Sequence, residues 1–367
     1  MAGPLAKRPS CIDTLCSATH NGFPSTLVRL TKGNATLMDA YYDRDANLEV
    51  LRHKILGIIG YGNQGRAQAL NLRDSGLDVM IGGLRDESAR QAEKDGFAVY
   101  TVAEVAERAD VLALLIPDEV QREVYASILS SRLHAGQALD FAHGYNVRFG
   151  LIVAPPEVDV IMVAPRMIGT MVREAFQNGH GAPAFVAVEC DTSGHALEKA
   201  LAWARGIGAT RAGVFKTTFA QETELDLFQE QAVWPLLCRS MMMAFEFLTE
   251  HGFPPEMVAL EMYGSGEASE ILREMGRVGF FKQMRFHSQT SQYGTLSRAA
   301  AVPFAPEMRA FLDRALEAIR DGRFDAEWRH EQAAGYPVFK ELRAKADAHP
   351  MNEAEEQMRR LMRNPAE

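Results

Sequence analysis

The sequence predicts an α/β domain followed by an all-α one, a Rossmann-like parallel sheet leading into a bundle of helices. Three observations predict it. Short, wholly apolar runs alternate with helical stretches up to about residue 215. A glycine-rich turn follows the first of these runs, and beyond residue 215 the runs give way to long helical patterns. Strands buried on both faces read as continuous apolar segments, and their alternation with helices implies a parallel sheet covered on both sides.

Residues 1–37 stand apart as an N-terminal extension, rich in Pro, Gly, Ser and Thr, with Lys7, Arg8, Arg29 and Lys32 against the single acid Asp13. No apolar core of sufficient length precedes a small-residue cleavage site, so no secretory signal is expected. A loosely packed arm, or a true start at Met38, is the reading adopted, with a transit peptide as the alternative. Residues 55–59 read as the first strand and 66–75 as a helix. A second strand at 78–81 precedes a helical stretch at 86–95, and Pro117 ends a third, wholly apolar strand at 111–116. The signal repeats at 137–141, 158–163 and 184–188, which places the Rossmann domain at 38–215. Helices expected at about 219–251, 254–277, 305–321, 324–347 and 352–363 make up a second domain, 216–367.

A length of 367 residues suits two domains. The 39 Lys and Arg against 48 Asp and Glu exclude the basic stripe that a nucleic-acid partner requires. Cys11, Cys16, Cys190 and Cys238 are too scattered for a disulfide framework or a zinc site, so a reducing, cytoplasmic setting is expected. No apolar run approaches the roughly 18 residues that cross a membrane.

Gly60-Tyr61-Gly62-Asn63-Gln64-Gly65 lies between an expected strand and an expected helix. In that context G-x-G-x-x-G is a dinucleotide site: the glycines allow a tight turn and close approach of the pyrophosphate, and the helix N-terminus supplies N–H groups. Pro117, at the end of the third strand, is expected at the same site. After the second strand, Arg85, Asp86 and Ser88 fall beside the adenosine ribose. An acid there accepts from the ribose hydroxyls and repels a 2′-phosphate, whereas Arg85, Ser88 and Arg90 could hold that phosphate. NAD is expected, with NADP as the alternative.

Glu222, Asp226 and Glu230 recur every four residues on one helix face. Like charges at that spacing repel, so the ladder is either solvated or neutralised by a cation. On periodicity alone a solvated face is the simpler reading; oxygen ligands a turn apart would suit Mg²⁺.

Tyr41-Tyr42-Asp43, the Gly60–Gly65 turn, Leu115-Ile116-Pro117-Asp118-Glu119-Val120-Gln121, Phe141-Ala142-His143-Gly144-Tyr145-Asn146 and Asp226-Leu227-Phe228-x-Glu230-Gln231-Ala232-Val233 occur in that order. Together they resemble the ketol-acid reductoisomerases of the shorter type, with one helical domain, and the similarity runs from about Met38 to Met362. The resemblance implies a Rossmann domain joined to a knotted helical domain, a homodimer or higher homo-oligomer formed through the helices, Mg²⁺ and a nicotinamide. It also implies an alkyl migration followed by reduction of a small hydroxy-acid substrate. Asp226 and Glu230 match the first pair of metal ligands, His143 the histidine near the nicotinamide, and Ser288 the serine that holds the substrate carboxylate.

Three departures stand out. Arg166 occupies the place of a lysine, keeping the charge but unable to lose its proton. Met167-Ile168-Gly169-Thr170 replaces Gly-Pro-Gly-His. The second pair of metal ligands, glutamates four apart, is not intact: Glu261 matches its first member, Ser265 stands four residues on, and Glu267 is the substitute. Six residues advance about 240° around a helix, so Glu261 and Glu267 converge only if Gly264 and Gly266 break it.

These departures point to a divergent member of specialised metabolism acting on a 2,3-dihydroxy or 2-hydroxy-3-oxo acid, of the cyclopropanol-forming kind. In that reading the C2 hydroxyl is oxidised, C3 loses a proton and displaces a leaving group at C5, and the hydride returns to C2. His143, Arg166, Glu230 and Ser288 are the expected catalytic residues. The alternatives are an authentic reductoisomerase of branched-chain amino-acid synthesis, a metal-independent hydroxy-acid dehydrogenase, and a nucleotide-binding regulator.

Overall fold

The structure, a computed structural model, describes residues 38–299, 302 and 306–362, so the extension at 1–37 lies outside the described residues. The chain divides into two compact units. One comprises residues 38–233 with Ala315–His330, the other Trp234–Arg314 with 331–362.

The first unit is built on β1 (Ala40–Tyr41), β2 (Ile55–Ile59), β3 (Asp78–Gly82), β4 (Val99–Tyr100), β5 (Val111–Leu114), β6 (Ala138–Phe141), β7 (Asp159–Pro165), β8 (Ala184–Cys190) and β9 (Val214–Lys216). Their spatial order is β1-β9-β8-β7-β6-β5-β2-β3-β4. Alternate residues of each strand enter two separate cores. Leu56, Ile58, Ile81, Ala113, Ile161 and Val186 face one, and Ile59, Met80, Leu112, Leu139, Met162 and Ala187 face the other. Two buried faces explain the unbroken apolar runs. The strand order reverses at β2, which lies between β3 and β5. That reversal opens a crevice at the carboxyl ends of the strands, where ligands bind in such sheets.

The expected parallel sheet is in fact mixed: β8 runs antiparallel to β7, and β1 antiparallel to β9. The chain leaves β7 at Pro165 and re-enters the sheet beside it, pairing Pro165 with Ala184, and the Arg166 N–H donates to the Pro183 carbonyl at 2.8 Å. A strand buried on both faces has no polar side to mark its direction, so the apolar run Ala184–Val188 predicts a strand without predicting which way it runs.

The sheet-bearing unit runs past the expected boundary at 215. The helix Phe219–Phe228 packs Phe219 into the second core and Leu227 beneath Tyr145. The single helix expected over 219–251 is this helix, a π-helical turn Gln229–Val233, and the helix Trp234–Glu250.

In the helical unit, the segment expected at 254–277 breaks. Pro255–Ala259 continues into a π-helical turn Leu260–Gly264, Gly266 takes φ +88°, and a new helix spans Glu267–Val278. The segment expected at 324–347 is two helices, Arg323–Ala333 and Pro337–Asp347. Proline lacks the N–H and clashes with the preceding turn, so Pro337 starts a helix rather than continuing one. Gln289–Ala299 is a helix that its mostly polar sequence does not announce. Among the described residues, no helix is long and apolar enough to cross a membrane.

Candidate active site

The dinucleotide turn is shaped by close backbone contacts. Gly60 takes φ +96°, and a Cβ there would lie 2.9 Å from the Leu115 carbonyl oxygen. A Cβ on Gly65 would lie 2.1 Å from the Gly60 carbonyl oxygen, whereas Gly62 faces open space. Two glycines therefore close the turn and the third leaves room above it. The helix Asn63–Asp74 starts at that point with Gly62 as its cap residue, so no side chain covers its first amides. Pyrophosphate fits this arrangement.

The other residues of the turn are occupied by the protein itself. Tyr61 is buried, packs edge-on against Phe97, and donates its O–H to Asp95 at 3.0 Å; only its backbone belongs to the turn. Asn63 Oδ1 accepts the Thr170 N–H, and the Gln64 amide donates to the Met167 carbonyl at 2.8 Å. The altered segment Met167–Thr170 is thus latched to the dinucleotide turn. Beyond β3, Asp86 caps the helix Glu87–Lys94, accepting from the Ser88 hydroxyl and from the amides of Ser88 and Ala89. Those hydrogen bonds hold its carboxyl below the usual range. Arg85 pairs with Glu93 and Arg90 with Glu87. Pro117 caps the helix Asp118–Val124 at the end of β5.

A charged cluster forms beyond β6 and β7. His143 follows β6 by two residues and Arg166 follows β7 by one; both face the helix Phe219–Phe228. His143 Nδ1 lies 3.0 Å from Glu222 Oε2, which also accepts the Gly144 N–H at 2.9 Å. A Cβ on Gly144 would lie 2.6 Å from Thr223 Oγ1, so glycine is what lets this loop close on the helix. Arg166 donates to Glu222 Oε1 at 2.9 Å and, through its other terminal nitrogen, to Asp226 Oδ1. Its guanidinium lies over the Phe185 ring of β8, 5.2 Å from the centroid. The second Asp226 oxygen is 3.6 Å from His143.

The electrostatics follow from this crowding. Burial opposes protonation of His143, but the hydrogen bond and charge of Glu222, with Asp118 and Asp226, outweigh it and push the imidazole up to about 9. Burial and the neighbouring carboxylates push Asp118 up to about 6, against the pull of His143. Glu230 lies in the π-helical turn, and partial desolvation together with Asp226 raises its carboxyl.

Ligating atoms of His143, Glu222 and Asp226 lie within 4.8 Å of one another. Fully ionised, Asp118, Glu222, Asp226 and Glu230 carry four negative charges against two on His143 and Arg166. A hard, oxygen-rich donor set fits Mg²⁺.

Glu261, Glu267 and Ser288 belong to the helical unit. Because the helix breaks at Gly266, Glu261 and Glu267 line one cavity of about 510 Å³ together with Gln283, His287 and Ser291. The Ser265 hydroxyl accepts the Glu267 N–H at 3.4 Å. Ser288 is not among the residues lining that cavity, and its hydroxyl accepts the Ser291 N–H at the start of Gln289–Ala299.

Sequence reasoning passed over Asp118 and left Glu222 without a role. Asp118 could have been found by its place, at the carboxyl end of a strand beside the dinucleotide turn. Glu222 was one rung of the ladder, and nothing local marks it as the rung that reaches the histidine.

A dinucleotide turn at the switch point of a Rossmann sheet, with a histidine and carboxylates at the neighbouring strand ends, defines a nicotinamide-dependent oxidoreductase. The family model described as "Acetohydroxy acid isomeroreductase, NADPH-binding domain" matches residues 50–213, and "Ketol-acid reductoisomerase, C-terminal domain" matches 219–364. The chain is 45% identical over 326 residues to the "Ketol-acid reductoisomerase (NADP(+))" of Kocuria rhizophila, covering 88% of this chain and 94% of that one. It is 45% identical over 327 residues to the protein of the same name from Pyrobaculum calidifontis, covering 89% and 99%. An NADH-preferring ketol-acid reductoisomerase structure from an uncultured archean superimposes with a TM-score of 0.85 at 38% identity, covering 89% of this chain and all of that one. The chain belongs to the ketol-acid reductoisomerase family. These likenesses support the reductoisomerase reading more strongly than the ring-closing one.

Proposed function

We propose that this enzyme is a Mg²⁺-dependent ketol-acid reductoisomerase that rearranges and reduces 2-acetolactate or a close 2-hydroxy-3-oxo acid. The observation that carries the reading is the cluster of His143, Glu222, Asp226 and Arg166 at the strand ends that adjoin the dinucleotide turn, in a chain of this family. Asp226 and Glu230 are the residues that would hold Mg²⁺. When bound, Mg²⁺ polarises adjacent hydroxyl and carbonyl oxygens and the nicotinamide supplies hydride.

The chain's own residues manage charge and protons. A carboxylate only accepts, so His143 donates its Nδ1–H to Glu222, which leaves Nε2 as the atom that exchanges a proton with substrate. Arg166 fixes Glu222 and Asp226 by charge and hydrogen bonds, and a guanidinium does not shuttle protons, so proton movement falls to the His143–Glu222 pair. NADH is the proposed reductant: Asp86 is held ionised beside the ribose position, while Arg85 and Arg90 are each balanced by an acid. Trp234, Phe247 and Phe280, exposed on the helical unit, support a homodimer formed through the helices.

The test is consumption of NADH or NADPH on 2-acetolactate with Mg²⁺, which should stop with EDTA. Arg166 and Met167–Thr170 favour one second reading, a redox-neutral ring closure of a 2,3-dihydroxy acid that carries a leaving group at C5. Turnover of such an acid with catalytic NAD⁺ and no net NADH, alongside inertness towards 2-acetolactate, would establish it instead.

A further inference from the structure

The segment Ala315–His330 is far from the site residues in sequence yet packs in the sheet-bearing unit. It touches both elements that carry the charged cluster. Ile319, fully buried, packs with Tyr145 and Leu227, and Phe324 and Trp328 close the same apolar cluster. Leu227 is one residue from Asp226, and Tyr145 is two residues from His143 and stacks on its ring at 6.2 Å.

Two polar links reinforce that packing. Buried Tyr145 donates its O–H to buried Asp325 at 3.0 Å, and the other Asp325 oxygen accepts from Arg329 at 2.9 Å. Arg320 donates to Glu224 at 2.9 Å, between Glu222 and Asp226 on the carboxylate helix. Arg148, on the histidine loop, donates to the Arg320 carbonyl at 3.3 Å and pairs with Glu224 at 3.5 Å.

We propose that Ala315–His330 is a brace for the active site, and that Asp325 is a positioning residue that sets the His143 ring through Tyr145. The Tyr145 ring can lie beside the imidazole in one orientation only while its O–H is held at the far end. Asp325 supplies that hold, and Arg329 keeps its carboxylate aimed. Asp325 is buried and bonds Tyr145 and Arg329, so its effect reaches the reaction through the Tyr145–His143 pair. A misplaced catalytic group costs rate without weakening binding of the remote parts of the ligand.

The first test reads the free protein and needs no substrate. The His143 ring resonances, assigned by their loss in His143→Asn, should form one sharp set in the wild type. They should be broadened or doubled in Tyr145→Phe and in Asp325→Ala, and sharp again in Asp325→Asn, which keeps an acceptor for the phenol. The second test rests on the reductoisomerase reading. Both disruptive variants should lower kcat about tenfold with KM for the nicotinamide unchanged, and the double variant should be no slower than the worse single one. Unchanged His143 resonances in Tyr145→Phe would overturn the proposal, as would kcat losses that multiply. If the wild type leaves 2-acetolactate untouched, the reaction is wrong and the resonances still decide the brace.

Discussion

The dinucleotide turn and the charged cluster serve one site but are made in opposite ways. The turn is six consecutive residues whose shape comes from backbone contacts, and an added methyl group at two of its glycines would collide with a carbonyl oxygen. The cluster draws Asp118, His143, Arg166, Glu222, Asp226 and Glu230 from four separate stretches of chain, and ion pairs join His143 and Arg166 to Glu222 and Asp226. Steric shape admits few replacements, whereas a charge balance admits any group of the right sign and reach. That contrast explains why the glycine pattern stands whole at 60–65, whereas 166 carries arginine where the resemblance implies lysine.

The largest effect expected separates the two steric roles within the turn. Gly65→Ala should destabilise the fold by about 3 kcal/mol or more, because backbone cannot withdraw from a Cβ at 2.1 Å. Gly62→Ala should leave stability within about 0.5 kcal/mol yet weaken NADH binding, seen by urea unfolding and fluorescence titration. Equal stability losses in both variants would break the comparison.

Next comes the charge balance. Asp226→Asn should keep the fold and lower Mg²⁺ affinity about 100-fold by calorimetry. A pH dependence should follow from His143. Its folded pKa, about 9, lies above the ordinary 6.5, so its contribution to stability is complete below about 6.5 and is lost as pH rises through about 9. In Mg²⁺-free buffer the melting temperature of the wild type should therefore fall towards that of His143→Asn across this window. A constant difference between the two would show that the Glu222 pair does not favour the imidazolium.

The smallest effect expected lies at the ribose. Asp86→Asn should shift the NADH-to-NADPH ratio of kcat/KM about fivefold towards NADPH, since an exposed charge pair acts weakly through water. No shift would mean that the helix cap, rather than its charge, is what Asp86 supplies.

The same contrast governs what the sequence discloses. β2, β3, β5 and the turn are legible because apolar runs and glycine sterics are local, whereas the break near Gly266 shows only as two glycines in a segment expected to be one helix over 254–277. The sense of β8 is hidden because Ala184–Val188 is apolar on both faces. Asp226 and Glu230 show their spacing, but Arg166, the partner of Asp226, stands 60 residues away from it. Asp325, 180 residues from Tyr145, carries no local signal at all.

The backward run of β8 has a consequence for inheritance. By pairing Ala164 with Phe185, it brings an aromatic face under the side chain that leaves β7 two residues later. A planar guanidinium gains from such a face more than a compact ammonium does. Arginine at 166 and a ring at 185 should therefore be kept together: lysine at 166 would remove the reason to keep a ring at 185.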